Sequence, residues 1–60
     1  MIETYELYLL RDDRSRAFQA VTCKPTELVS RAMDVLEASD ASGCDVEQFG
    51  HVLLRLAKSQ

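Results

Sequence analysis

The segment from Ile2 to Leu10 shows an imperfect alternation of polar and apolar positions, which predicts a β-strand. The segment is rich in β-branched and aromatic residues, as strands usually are. Successive side chains of a strand point to opposite faces of the sheet. The strand therefore presents two sets: Tyr5, Leu7 and Leu9 on one face, and Glu6, Tyr8 and Leu10 on the other. Because the second set also contains two large, largely apolar side chains, neither face has the polar composition of a fully solvent-exposed sheet face.

A polar turn and a second strand follow. The turn, Arg11 to Ser15, contains aspartate and serine, whose side chains form local hydrogen bonds in turns. The second strand is predicted from Arg16 to Cys23, so the two strands form a hairpin. One of its faces carries Phe18, Ala20 and Thr22, and the other carries Ala17, Gln19, Val21 and Cys23. The alternation does not decide which of these faces meets the core.

The apolar period then changes to that of a helix, which is predicted from Pro25 to Ser39. Pro25 suits the first helical position because its missing N–H would have no partner there, and Glu27 places negative charge near the positive end of the helix dipole. The polar run from residue 39 to residue 43 ends the helix. Five residues form the apolar stripe: Leu28, Val29, Ala32, Met33 and Leu36.

The last third of the chain fits two structures. As a helix from Asp45 to Lys58, it places Val46, Phe49, Leu53 and Leu56 at helical spacing, with Asp45 as N-cap, and the fold is ββαα. As a hairpin, CDVEQF and VLLRL are short strands joined by Gly50 and His51, and Gly50 supplies the positive φ of a tight turn. The pattern alone leaves these alternatives nearly even, with a slight preference for the helix.

Short motifs along the chain resemble those of a group of small uncharacterised bacterial proteins. The motifs are YELYLL, VTC before the helix, DVE followed by an aromatic residue, and a terminal LLRL. In that group the pattern is Y-x-L-Y, a charged turn, a strand ending in Cys, a helix, V-E-x-W and a closing apolar strand, and Phe49 stands at the position of the Trp. The resemblance implies a ββαββ fold, in which one helix packs on one face of an antiparallel sheet. It implies no activity.

The length of 60 residues is that of a single domain, spanning residues 1–60. A domain of this size buries only about 60% of the surface that its unfolded chain exposes, so its stability is marginal and oligomerisation is a common supplement. The composition, with 47% hydrophobic and 28% charged residues, is that of an ordinary globular protein. We therefore expect a folded domain that gains stability by association.

The net charge of −3 disfavours nucleic acid and anionic membranes as partners, since both are bound by clustered positive charge. No apolar run has the length of a membrane span, and the start MIETYEL lacks the basic region of a secretory signal. These features predict a cytoplasmic protein. In that compartment Cys23 and Cys44 are expected to be reduced rather than to form a disulfide around the helix.

The candidates for metal or thiol chemistry are Cys23, Cys44 and His51. A structural zinc site needs four ligands, so a further group such as Asp45 would be required, and the chain has no C-x-x-C or H-x-x-H spacing. A catalytic cysteine needs a base, an orienting group and an oxyanion donor as well. His51 is expected to be an exposed turn residue beside Gly50. We expect no metal, no cofactor and no catalytic residue, and a Cys-based redox or metal-binding protein is an alternative.

A second alternative is a sensor of small anions or nucleotides. Arg11, Arg14 and Arg16 surround the first turn, and guanidinium groups bind phosphate and carboxylate groups bidentately. Asp12 and Asp13 lie among them and neutralise the patch. The chain has no glycine-rich phosphate loop to assist them.

The chain has more apolar side chains than one helix can cover. A helix shields one face of a sheet, and a contiguous apolar patch left on a small domain commonly marks an interface, most often of a two-fold homodimer. We therefore predict a non-enzymatic interaction or accessory module that associates with itself through the sheet face or an edge strand, or binds an unidentified protein partner. The predicted interface residues are Tyr8, Leu10, Phe18, Phe49 and Leu53.

Overall fold

The computed structural model describes residues 1–58, in which four strands and one α-helix are present. The strands form one antiparallel sheet in the order β2-β1-β3-β4. The architecture is therefore the predicted α+β fold with ββαββ order. The elements are β1 (Glu3–Leu10), β2 (Arg16–Cys23), a short 3-10 turn (Pro25–Glu27), α1 (Leu28–Glu37), β3 (Gly43–Gln48) and β4 (His51–Ala57).

The helical alternative for residues 45–58 is wrong, because this segment forms most of β3 and all of β4. Strand β3 pairs with the free side of β1, which places Val46 opposite Leu7 and Cys44 opposite Leu9. Both β3 side chains are thereby buried under the helix. The spacing of apolar residues within the segment is compatible with a helix, but it carries no information about a distant strand. Pairing with β1 is what makes the segment a strand.

The β3–β4 turn lies one residue earlier than predicted. Its two central residues are Phe49 and Gly50, with φ of 54° and 78°, and Gln48 pairs with His51. Two successive positive φ values are those of a type I′ turn, whose twist matches that of the flanking strands. The prediction of Gly50 and His51 as the turn was therefore wrong: Gly50 occupies the second turn position and His51 is the first residue of β4.

The β1–β2 turn also contains a residue in the left-handed region. The Arg11 N–H donates to the Ser15 carbonyl at 3.0 Å, and the Arg14 N–H donates to the Arg11 carbonyl at 3.0 Å. The Asp13 carboxylate accepts from the backbone N–H of Ser15 at 2.9 Å and from its hydroxyl at 2.6 Å. Arg14 has φ of 72°, which a side chain with a Cβ adopts only at a cost.

Replacing Arg14 by glycine is therefore expected to stabilise the protein. Glycine removes the Cβ strain at positive φ but loses more backbone entropy on folding, so we expect a net gain of about 0.5 to 1 kcal/mol. Urea unfolding measures the difference. Arg14→Ala is the matched control: it removes the same charge but keeps a Cβ, and it should show no gain. An equal gain in both variants would assign the effect to charge.

The helix covers the face of the sheet that contains Tyr5, Leu7 and Leu9, as the alternation of β1 predicts. The register decides the face of β2 that the sequence left open. Val21 lies opposite Tyr5, and Cys23 opposite Glu3, so the set with Ala17, Gln19, Val21 and Cys23 shares the helix face. The core is completed from the helix, its following loop and β3 by Leu28, Ala32, Leu36, Ala41, Cys44 and Val46.

The α-helix is shorter than predicted, and its apolar stripe is centred differently. Residues 25–27 form a 3-10 turn, in which the Glu27 carboxylate accepts from the Lys24 N–H at 3.2 Å, and the α-helix ends at Glu37. Val29 was expected in the stripe but is 52% exposed, while Val35 packs against the core. At about 100° per residue, Leu28, Ala32 and Leu36 form the centre of the contact, with Val29 and Val35 on its two flanks.

Candidate interaction surfaces

Three of the five predicted interface residues lie together on the sheet face that the helix does not cover, called here the open face. Tyr8 pairs with Phe18 across β1 and β2, and their ring centroids are 5.6 Å apart. Leu10 follows on the same face of β1. The guanidinium of Arg16 lies 4.7 Å from the centroid of the Tyr8 ring, a cation–π arrangement. Phe18 is 60% exposed on this face.

Polar and charged contacts cross the rest of the open face. Arg16 lies 3.9 Å from Glu47, and Arg55 lies 3.4 Å from Asp45. The Tyr8 hydroxyl donates to Glu6 at 3.4 Å. Burial raises the pKa of Tyr8, and the carboxylates of Glu6 and Glu47 raise it further. A surface with this many internal ion pairs and hydrogen bonds is typical of a solvated sheet face.

The other two predicted interface residues lie at the opposite margin of the sheet: Leu53 in β4 and Phe49 in the turn before it. Within residues 1–58 this strand is an edge, since β3 alone pairs with it. The pairing shifts by one residue between Val46 and Glu47, which leaves Leu53 as the extra residue of a β-bulge. Val52 is 45% exposed, Leu53 47% and the turn residue Phe49 84%. These three side chains form what we call the β4 edge surface.

A groove follows the other edge of the sheet, between β2 and α1. It has two adjoining sections, each of about 340 Å³, which share Gln19, Asp34 and Val35. Consecutive residues of β2 line the first section, so the groove runs along the outer backbone of the strand. The remaining lining residues are Ala20, Val21, Thr22 and Arg31 in the first section, and Leu9, Ala38 and Ser39 in the second.

Both cysteines are free and buried, at opposite ends of the sheet. Cys23 lies opposite Glu3, and Cys44 lies opposite Leu9. Six strand residues at about 3.3 Å each separate these two levels by about 20 Å, whereas the Cα atoms of a disulfide lie about 4 to 7 Å apart. A bond between the two would require the sheet to break. Burial raises the pKa of Cys44, which disfavours its reactive thiolate.

The structure does not bring His51 next to either cysteine. His51 is exposed at the start of β4, and two strands separate it from Cys23. Cys44 pairs with Leu56, five residues further along β4 than His51. Within residues 1–58, no group of three or more His, Cys, Asp or Glu side chains is arranged to hold a metal ion.

The three arginines around the first turn have different surroundings. Arg11 donates to Asp40, beyond the end of the helix, at 2.8 Å, and this contact lowers the pKa of the Asp40 carboxyl. Arg14 is exposed in the turn, and Arg16 lies over Tyr8 on the open face. Two of the three guanidinium groups are therefore already engaged by neighbouring side chains. The anion-sensor alternative gains no converging set of donors from this arrangement.

Comparisons of the chain with protein-family models, with curated proteins and with solved structures gave no match. None of the helices in the described part of the chain has the length and apolar character needed to cross a bilayer.

The sequence did not indicate the β2–α1 groove. Its charged residues, Arg31 and Asp34, belong to the polar side of the helix by spacing, and the helix face of β2 could not be identified. Both faces of β2 contain apolar residues, so its alternation does not indicate which face, or which edge of the sheet, adjoins the helix. The groove becomes visible only when the strand order and the helix position are known.

Proposed function

We propose that this protein is a small, non-enzymatic interaction module of the cytoplasm, which forms a homodimer by pairing the β4 strands of two copies. The observation that carries the proposal is the β4 edge surface. One side of β4 has no neighbouring strand within residues 1–58, and Phe49, Val52 and Leu53 are exposed beside it. Apolar edge strands are templates for pairing with another chain. Pairing would extend the sheet to eight strands and bring Val52 and Leu53 to the junction between the two copies.

The composition of β4 favours pairing with a second copy in one register. The strand, HVLLRLA, contains no acidic residue and one arginine, Arg55. A two-fold axis at Arg55 would place the two guanidinium groups opposite each other, which destabilises a strand pair. An axis at Leu54 places leucine opposite leucine and Arg55 opposite Leu53. We therefore propose the register centred on Leu54.

The open face supports association less well than the β4 edge. Its ion pairs between Arg16 and Glu47 and between Arg55 and Asp45 would have to be desolvated in a face-to-face dimer. Burying charges costs free energy unless every partner is retained. Strand pairing at the edge removes few charges from water and satisfies backbone groups that are otherwise hydrated.

The cytoplasmic location is part of the proposal, and the two buried free cysteines are compatible with a reducing compartment. The absence of catalysis is a proposal, supported by the separation of both buried thiols from His51, the base considered in the sequence.

The dimer is tested by analytical ultracentrifugation of the wild type and of Leu53→Lys. The wild type should sediment at twice the 6.8 kDa chain mass, and Leu53→Lys should sediment as a monomer, because edge lysines prevent strand pairing. Leu53 is half-exposed, so the substitution leaves the core intact. Amide hydrogen exchange should show protection of outward β4 amides in the wild type and its loss in the variant.

Tyr8→Glu is the matched control on the open face. Under the β4 model it remains a dimer, because Tyr8 lies on a different surface. A wild-type monomer at millimolar concentration would contradict the proposal. Dissociation by Tyr8→Glu with Leu53→Lys still dimeric would transfer the interface to the open face.

A further inference from the structure

We infer that the β2–α1 groove binds an extended peptide segment of another protein, which adds to β2 as a fifth strand. This inference does not depend on pairing at β4, because β2 is the opposite edge of the sheet. An added strand would hydrogen-bond to the outer backbone of β2, and alternate side chains would enter the space beside the helix. Peptide-binding domains commonly use this combination of a free edge and an adjoining groove.

The shape of the groove fits a strand rather than a compact small molecule. Gln19, Ala20, Val21 and Thr22 line it consecutively, so both faces of β2 contribute and the accessible element is the strand edge itself. The groove continues past Val35 to Ala38 and Ser39, at the end of the helix. It therefore accompanies the second half of β2, from Gln19 to Thr22. Its apolar lining residues include Val21, Leu9 and Val35.

The charges of the groove define the chemistry of the peptide. Arg31 lines the section near Thr22, and Asp34 lines both sections. Among the ion pairs of residues 1–58, none includes Arg31 or Asp34. Both side chains are exposed, so one cationic and one anionic group in the groove lining are available to pair with a ligand. A complementary peptide carries an acidic residue facing Arg31 and a basic residue facing Asp34.

The direction of the chain sets the order of these residues. Strand β2 runs towards the start of the helix, so a peptide antiparallel to β2 passes Arg31 first, then Asp34, then Ala38. Inward-facing residues of a strand repeat about every 6.6 Å, while Arg31 and Asp34 are about 4.5 Å apart along the helix axis, a difference that long side chains can span. The inward positions should therefore read acidic, basic, small apolar.

The probe is the synthetic peptide acetyl-TETKTVT-amide, with acetyl-TKTETVT-amide as a control of identical composition and exchanged charges. Each is titrated into the ¹⁵N-labelled Leu53→Lys variant to about 1 mM, the weak end of specific binding. The first peptide should shift amide resonances of β2 and α1 and bind about fivefold more tightly than the control, as two exposed ion pairs allow. The exchanged protein variant, Arg31→Glu with Asp34→Lys, should reverse this preference.

Each other result overturns the inference. Equal binding of the two peptides to both proteins would remove the charge recognition, and no shift at about 1 mM would remove the site. Shifts confined to β4 or to the open face would place the ligand elsewhere. Groove shifts that depend on protein concentration without peptide would assign the groove to a second copy. Because the titration uses Leu53→Lys, failure at the groove and failure of the β4 dimer are separate results.

Discussion

Leu36→Ala is expected to lower the free energy of unfolding by about 3 kcal/mol, the middle of the range for buried leucines. Leu36 has no exposed surface and lies at the centre of the contact between α1 and the sheet. Its truncation removes apolar contacts and leaves a cavity that a close-packed sheet cannot fill. Since small domains have only about 5 kcal/mol of stability in total, the variant should unfold at much lower urea concentration.

The measurement is urea unfolding followed by circular dichroism, with the midpoint and the slope both determined. Val29→Ala is the control, because Val29 occupies the same helix but is half-exposed. It should lose well under half as much stability, since most of its surface is already in water. Similar losses at the two positions would contradict the orientation of the helix. All comparisons need one protein concentration, because the proposed dimerisation would add to apparent stability.

Ala32→Leu is the second large expected effect and acts by overfilling the same contact. Ala32 is fully buried where the helix lies against the sheet, so a larger side chain must displace the helix. Overpacking of this kind costs about 1 to 3 kcal/mol, and occasionally more. Leucine is among the best helix formers after alanine, so a change in helix propensity contributes little to the loss. The loss therefore reports on packing.

Ala38→Leu serves as its matched control. Ala38 is exposed at the end of the helix, so the same added volume projects into solvent or towards the groove and should change stability by less than about 0.5 kcal/mol. Urea midpoints of the two variants decide the matter. A tolerated leucine at position 32 would mean that α1 stands further from the sheet than described.

Much of the fold could be predicted from local pattern. The second strand was predicted with its observed bounds, and the first with an error of one residue. The set Tyr5, Leu7 and Leu9 was correctly grouped on one face. Pro25 was correctly identified as the start of the helical segment, although its first three residues form a 3-10 turn. Strand alternation and helix entry are local properties of the chain, so neighbouring residues suffice to define them.

The candidate surfaces were less predictable. The interface prediction treated Tyr8, Phe18 and Leu53 as one surplus of apolar residues, whereas the structure divides them between the open face and the β4 edge. Apolar residues are easily counted along a sequence, but their contiguity depends on strand order. The β2–α1 groove, with Arg31 and Asp34, had no counterpart in the pattern for the same reason.

The sequence by itself determined the two N-terminal strands, the place of the helix and the apolar side chains that had to be covered, because these follow from the spacing of neighbouring residues. For residues 43–57 the pattern left helix and hairpin nearly even and the resemblance favoured the hairpin, which the tertiary structure confirmed. Only the tertiary structure decided that Val21 and not Phe18 faces the helix, and which strands remain as edges. Each of these depends on the pairing of β3 with β1 and on the register between strands, which join residues far apart in the chain.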